Sequence, residues 1–159
     1  MNSLRFVMLL SLAAWLGALI FFPIVAQSSF AALPSAHLAG LVVRGSLLSL
    51  HWLGVGCGLI FVAASLGQNR YCQGFARPGS ASHILVALML VLTAISQFKI
   101  IPRMDALRLA AGEISSLPAN DPVRVQFDSL HVWSTRLEGI VLVLGLVVLY
   151  LTSRRLART

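Results

Sequence analysis

The acidic residues of this chain are few and lie in one segment. The 159 residues contain five Asp and Glu against twelve Lys and Arg. All five carboxylates fall between Lys99 and Glu138, together with five of the basic residues. The charged side chains of this segment are Lys99, Arg103, Asp105, Arg108, Glu113, Asp121, Arg124, Asp128, Arg136 and Glu138. No carboxylate pair in a cavity-like context, phosphate-binding loop or nucleophile motif accompanies them, so no catalytic site is predicted and we expect a protein that is not an enzyme.

These charges follow a register that predicts ion pairs. If the chain turns near residues 117–120 and returns antiparallel, three pairs of opposite charge face one another and no pair of like charge does. The pairs are Lys99 with Glu138, Arg108 with Asp128, and Glu113 with Arg124, while Asp105 and Arg136 lie one turn out of register. An unpaired charge at membrane depth costs about 2.5–3.5 kcal/mol, which favours pairing where the segment adjoins apolar runs.

Histidines are the other residues able to do chemistry. A pair from two helices can ligate haem or copper, and His51 and His131 are the candidates. The chain lacks an HxxxH motif and a methionine cluster, so we predict no metal or cofactor and expect buried histidines to be hydrogen-bonded. A haem- or copper-binding membrane protein using His51 and His131 is the alternative hypothesis.

Arg44 extends this set to a possible intramembrane polar site of Arg44, His51 and His131. Arg44 would neutralise Glu138 or an anionic lipid, or reach the membrane surface. A water-filled path lined by Arg44, His51 and Glu138 would indicate transport of a small molecule.

The elements that position these residues are predicted to be membrane helices. The composition is 58% hydrophobic, with a mean hydropathy of +0.88, and runs of about 20 apolar residues recur. We predict an all-α integral membrane four-helix bundle in one domain, 1–159, with up-down-up-down order. Its helices span about 5–27, 38–66, 83–116 and 122–153, and the last two extend as a hairpin beyond the bilayer. The first run is longer than the ~7–15 apolar residues of a signal peptide, so we expect a retained helix.

Local signals mark the ends and contacts of these helices. Asp121-Pro122 is typical of a helix start, Pro102 predicts a kink, and 67–82 has the composition of a loop. Gly54 and Gly58 form a small-xxx-small pattern, which predicts close packing within the chain or a homo-oligomer.

The partners expected from charge are lipids and not nucleic acid. The net charge is +7, but the cations lie singly at the ends of apolar runs, without a basic stripe. Six arginines, in the amino terminus, the second loop and the tail, have no acidic neighbour: Arg5, Arg70, Arg77, Arg154, Arg155 and Arg158. We expect a bacterial inner-membrane protein with both termini in the cytoplasm. Cys57 and Cys72 show neither a zinc nor a CxxC spacing.

Several short motifs resemble one family in order and spacing. They are Trp15-Leu16-Gly17, Phe21-Phe22, Phe30 with Leu33-Pro34, Gly40-Leu41-Val42, Ile101-Pro102-Arg103-Met104, and Phe127-x-x-Leu130-His131-x-x-Ser134-x-x-Leu137. Together they resemble the transmembrane-protein-205-like family of small four-helix membrane proteins. The resemblance implies a four-helix membrane fold and no known activity. The family usually has asparagine where this chain has Glu138.

Overall fold

The fold is a bundle of long helices. The computed structural model describes residues 2–73 and 80–156. The elements are α1 (Asn2–Ala32), α2 (Ala36–Gln73), α3 (Ala81–Ile95), a π-helical turn (Ser96–Ile100), α4 (Ile101–Ala111), a 3-10 turn (Ile114–Ser116) and α5 (Pro122–Leu156). α3, the π turn and α4 form one continuous rod, Ala81–Ala111. With this rod counted once, the described residues contain four helices long and apolar enough to cross a membrane, which confirms the all-α four-helix prediction.

Contacts near the helix ends define the direction of the chain. Leu4, early in α1, packs beside Gly67, late in α2, so α1 and α2 are antiparallel. Arg155, at the end of α5, donates a hydrogen bond of 2.5 Å from Nη2 to Asn69 Oδ1, so α5 and α2 end at the same side of the bundle. The bundle end that holds these contacts is called the arginine end below.

Apolar side chains lie both inside and outside the bundle. The largest buried side chains are Leu12, Trp15, Phe61, Val86, Met89, Val141 and Val148, which come from all four helices. Large apolar side chains also cover the outer surface, among them Phe21, Trp52, Ile84 and Val143, each more than half exposed. A soluble monomer rarely exposes so much contiguous apolar surface, so the helices are covered by lipid and the protein is a multi-pass membrane protein.

Gly54 and Gly58 serve packing within the chain. A Cβ on Gly54 would lie 2.5 Å from Trp15 Nε1, and a Cβ on Gly58 would lie 3.0 Å from the same indole and 2.9 Å from Leu90. The small-residue face is therefore filled by the Trp15 ring and by α3. Gly54 and Gly58 therefore serve packing within the chain, the first of the two predicted uses, and a homo-oligomer stays a prediction.

The helix ends agree with the predictions at α5 and differ at α2 and α4. Asp121 Oδ1 accepts a hydrogen bond of 2.8 Å from the Val123 N–H, which is the predicted cap before Pro122. The predicted loop at 67–82 is wrong for its first part, because α2 continues to Gln73. Residues 74–79 lie outside the described part.

The third predicted helix ends earlier than expected. We predicted helix to residue 116, but α4 ends at Ala111 and Gly112 has a φ of +70°. This left-handed conformation favours glycine and stops a helix, and the N–H of Gly112 still donates to the Arg108 carbonyl at 2.8 Å.

A π turn takes the place of the predicted simple kink. Pro102 has no N–H to donate, and its ring clashes with the carbonyl four residues earlier in a regular α-helix. The chain widens here, and the Ile101 N–H donates to the Ser96 carbonyl, five residues back. A π turn holds one residue more than an α turn, so the side chains of Ser96–Ile100 point differently from those of an uninterrupted helix.

Candidate functional site: a polar seam between three helices

The centre of the site is a buried histidine that joins three helices. His51, on α2, is 2% exposed. Its Nδ1 lies 2.7 Å from Gln97 Oε1 in the π turn, and its Nε2 lies 2.7 Å from Glu138 Oε1 on α5. We call His51, Gln97 and Glu138 the polar triad.

Local structure brings each member to this point. Glu138 is the last charged residue before the apolar second half of α5, and its side chain is 14% exposed. Gln97 is the second residue of the π turn, which sets the direction of its side chain. His51 lies mid-helix in α2, far from either end of that helix. The triad is therefore a set of hydrogen-bonding groups enclosed by helices.

Two protonation states satisfy this geometry. An imidazolium donates from both ring nitrogens, to Gln97 Oε1 and to Glu138 Oε1. A neutral ring donates from Nε2 to Glu138 and accepts at Nδ1 from the Gln97 amide, once that amide has turned by half a rotation. The two states thus differ by one proton on His51 and by the orientation of the Gln97 amide group.

A second polar contact joins α2 to α4. Arg44 donates from Nε to Asp105 Oδ1 and from Nη2 to Asp105 Oδ2, both at 2.6 Å. The side chains are 37% and 25% exposed. Such a two-bond pair is short and directional, and at this exposure it contributes about 1 kcal/mol.

Arg108 forms a third contact between the same three helices. Its guanidinium carbon lies 5.0 Å from the centre of the Phe127 ring on α5. Its Nη2 packs against α2 at Gly40, where a Cβ would lie 3.1 Å away. Arg108 thus fills the space that the missing side chain of Gly40 leaves.

The predicted ladder of charges across the hairpin is wrong. Arg124 pairs with Asp128 on its own helix at 3.9 Å, and its Nη1 donates to the Leu117 carbonyl. Glu113 accepts a hydrogen bond from the Ser115 hydroxyl. Glu138 is bonded to His51, and Lys99 is exposed.

Among the described residues, the predicted contacts of Arg108 with Asp128 and of Asp105 with Arg136 do not form either. Arg108 contacts Phe127 rather than Asp128, and Asp105 is bonded to Arg44. Arg136 lies over the ring of Trp133, at 5.5 Å. The physical reason is α2, whose long side chains Arg44 and His51 reach the partly buried carboxylates of Asp105 on α4 and Glu138 on α5. The hydroxyl oxygens of Ser96 and Ser134 lie 3.4 Å apart and form a side-chain hydrogen bond between the π turn and α5.

The proposed histidine pair does not form. His131 is exposed on α5, while both ring nitrogens of His51 face the other triad members and neither is free to bind a metal. Arg44 belongs to a separate contact with Asp105. Within residues 2–73 and 80–156, no group of three or more His, Cys, Asp or Glu side chains is arranged to hold a metal ion.

A cleft among the described residues does not coincide with the transport path considered above. It has a volume of about 440 Å³, is apolar and open, and lies between the end of α1 and the start of α2. Phe21, Val25 and Val42 are among its lining residues, whereas Arg44, His51 and Glu138 are not. Cys57 is a free, half-buried thiol. The side chain of Cys72 and the residues Arg77 and Arg158 lie outside the described part.

Gln97 is the site residue that the sequence reasoning missed. A search for charged partners passes over an amide. A signal was present, because Arg44 and His51 are seven residues apart and lie on one face of α2. Two polar residues on a face that enters the bundle require polar partners on the facing helices, and Gln97 and Asp105 provide them.

A comparison with models of known protein families identifies the family of this chain. The family model described as "Domain of unknown function (DUF4149)" matches residues 10–113, more than half of the chain. The chain belongs to the DUF4149 family. The matched DUF4149 range contains His51, Gln97, Arg44, Asp105 and Arg108, and it ends before α5 and Glu138. No curated protein and no solved structure matches the chain.

Proposed function

We propose that this DUF4149 protein is a non-enzymatic membrane protein that binds one proton reversibly at the polar triad and thereby changes the contact between α2 and α5. The observation that carries the proposal is the position of His51, whose two ring nitrogens each lie 2.7 Å from an oxygen atom on another helix. Ionisable side chains inside membrane bundles are rare and usually functional, and π turns occur often at functional sites.

The charges around His51 fix the sign of the response. Glu138 is the acidic group on α5 that contacts His51, and Lys99 on the π turn is exposed. Arg44, on α2 itself, is neutralised by Asp105 of α4. α1 carries no titratable side chain among its described residues apart from Arg5, near its start.

Loss of the proton therefore changes the triad from an ion pair with no net charge to a neutral ring beside a carboxylate. The attraction between α2 and α5 is strongest when His51 is charged and Glu138 is ionised. It is weaker when His51 is neutral or when Glu138 is protonated, because the two side chains then no longer carry opposite charges.

The test is a titration of the His51 ring nitrogens. The protein is labelled with ¹⁵N-histidine in lipid nanodiscs and the pH is varied from about 5 to about 8, the range in which histidine in general changes charge. The His51 signals, assigned with the His51→Asn variant, should respond to this change. Glu138→Gln should change the His51 titration, because it removes the charge that faces Nε2. His131→Asn is the matched control on the same helix and should leave it unaltered. His51 signals that stay constant over this range, or that titrate identically in Glu138→Gln, would refute the proposal.

We also propose that both termini lie in the cytoplasm of a bacterial cell and that the protein sits in the inner membrane. Arg5, Arg70, Arg154 and Arg155 support this orientation, because they lie near the arginine end and have no acidic residue close to them in sequence. Alkaline phosphatase fused to the carboxyl terminus should be inactive and a fluorescent protein fused there should be bright. An active phosphatase fusion would reverse the orientation.

We also propose that the chain is related to the transmembrane-protein-205-like family beyond a shared four-helix membrane fold. This relationship is supported by the motifs around Trp15, Pro102 and Phe127, which include residues of the core, the π-turn region and the Arg108 contact. Equivalent packing of these three residues in a structure of a family member would support the relationship, and a different helix order would oppose it.

A further inference from the structure

The polar triad and the contact of Arg108 with Gly40 and Phe127 lie on the same faces of three helices: α2, α5 and the rod that contains α3 and α4. Gly40 precedes His51 by eleven residues, and Phe127 precedes Glu138 by eleven. On the rod between them, Arg108 follows Gln97 by eleven. On α2 and α5, which are regular helices, eleven residues make about three turns and about 16 Å, so the Arg108 contact lies about 16 Å from the polar triad along the bundle.

This spacing puts Arg108 at the depth of the lipid headgroups. From Phe127 to Arg154 on α5 is 27 residues, or about 40 Å, and from Gly40 to Arg70 on α2 is 30 residues, or about 45 Å. A bilayer measures about 40–45 Å including its headgroup regions. When the arginine end lies at one membrane surface, Arg108 therefore lies at the other surface, and the polar triad lies inside the hydrocarbon layer.

Arg108 has no ion-pair partner among the residues described, and the attraction that it feels from Asp105 is opposed by repulsion from Arg44. Asp105, one turn earlier on α4, has both carboxylate oxygens bonded to Arg44. The described part of the chain provides no carboxylate within ion-pair distance of Arg108 and no hydrogen-bond acceptor for its guanidinium. Arg44, Asp105 and Arg108 together hold one excess positive charge at the membrane surface.

The guanidinium is nevertheless held in a fixed position. Phe127 covers one side of it and the α2 backbone at Gly40 lies beside Nη2, so the half-buried group keeps unused N–H donors. A planar guanidinium with free donors binds phosphate oxygens through two parallel hydrogen bonds. We propose that Arg108, between Phe127 and Gly40, binds a phosphate group, supplied by the headgroup of an anionic phospholipid or by free phosphate.

The experiment measures lipid binding to the full-length protein in a neutral detergent. Native mass spectrometry with added phosphatidylglycerol should give one tightly bound lipid. Arg108→Gln should weaken that first binding step about tenfold, since it removes the two charge-assisted hydrogen bonds. Arg103→Gln is the matched control, because Arg103 is exposed on the same helix and should leave the first step within about twofold of the unchanged protein.

Further arms distinguish the sources and guard against misfolding. Arg108→Lys keeps the charge but not the planar donor pair and should bind with intermediate affinity. Inorganic phosphate that competes with phosphatidylglycerol in the unchanged protein would identify free phosphate as a ligand of the site, whereas its failure to compete identifies the lipid. Equal binding of phosphatidylglycerol by the unchanged protein, Arg108→Gln and Arg108→Lys would overturn the proposal, as would an equal loss in Arg103→Gln.

Discussion

At the scale of single residues, the partner that each carboxylate binds depends on how deeply that carboxylate is buried. Glu138 and Asp105, which lie against α2, each find a basic or protonatable partner on that helix. Asp128 and Glu113, which are exposed, bond within their own segments. Buried charges are costly without a partner, whereas exposed charges are solvated by water, so partner choice follows the surroundings rather than the position along the hairpin.

This distribution predicts which residue is energetically coupled to Glu138. In a double-mutant cycle with His51→Asn and Glu138→Gln, we expect a coupling of about 1–3 kcal/mol in the free energy of unfolding, because the two side chains share a buried hydrogen bond. The measurement is denaturant unfolding in mixed micelles at near-neutral pH.

The control cycle pairs Lys99→Gln with Glu138→Gln. Lys99 is exposed and has no ion pair with Glu138, so these two losses should add to within about 0.5 kcal/mol. A larger coupling to Lys99 than to His51 would restore the pairing across the hairpin and contradict the structure.

At the scale of the elements, the close approach of α1 and α2 depends on a tryptophan against two glycines. Gly54→Ala should destabilise the fold by about 1–3 kcal/mol, because the added methyl group would lie 2.5 Å from Trp15 Nε1 in a packed core. Thermal unfolding of the purified protein measures the loss.

Gly56→Ala is the matched control for Gly54→Ala. A Cβ on Gly56 meets nothing within 4 Å, and alanine is a better helix former by up to about 1 kcal/mol. The control should therefore be neutral or stabilising. Equal destabilisation by both substitutions would show that helix α2 does not depend on the contact with Trp15.

The π turn makes a separate prediction at this scale. It contains one residue more than an α turn, so deletion of the exposed Phe98 should leave an α-helix kinked at Pro102 in which α3 and α4 keep their relative rotation. We expect this variant to fold and to keep the contact between Arg44 and Asp105, but to lose the contact between Gln97 and His51.

Deletion of Val91 is the control, since it is also exposed but lies in regular helix. Removing it turns everything that follows by about 100°, which should abolish folding. Yield of monodisperse protein and its melting temperature compare the two deletions. A well-folded Val91 deletion beside a misfolded Phe98 deletion would contradict this account of the π turn.

At the scale of the whole molecule, the sequence predicted the helices well and their mutual contacts poorly. Long apolar runs determine where helices form in a membrane, and Asp121-Pro122 specifies the start of α5 through purely local chemistry. Partner choice is not local. The predicted register considered only contacts between α4 and α5. It did not include α2, because His51 and Arg44 are remote in sequence from the carboxylates that they contact.

The π turn explains a further part of the difference. Counting in α-helical turns across Ser96–Ile100 miscounts by one residue, so side chains on its two sides are assigned to the wrong faces. The triad forms because the π turn shifts the direction of the Gln97 side chain and because His51 of α2 reaches between the other two helices. Neither feature can be recognised from the pattern of charges along the sequence. A polar stripe on α2, carried by Arg44 and His51, was the available clue.

The tie between His51 and Glu138 also sets an order of events during biosynthesis. The Trp15 and Gly54 contact joins segments made early, so α1 and α2 can associate as soon as both have left the ribosome. His51 is then already inside the lipid while its acidic partner, 87 residues further along, has not yet been synthesised. The last helix to enter the membrane, α5, therefore supplies the acidic partner of His51. The gain in free energy from this hydrogen bond favours the insertion of α5.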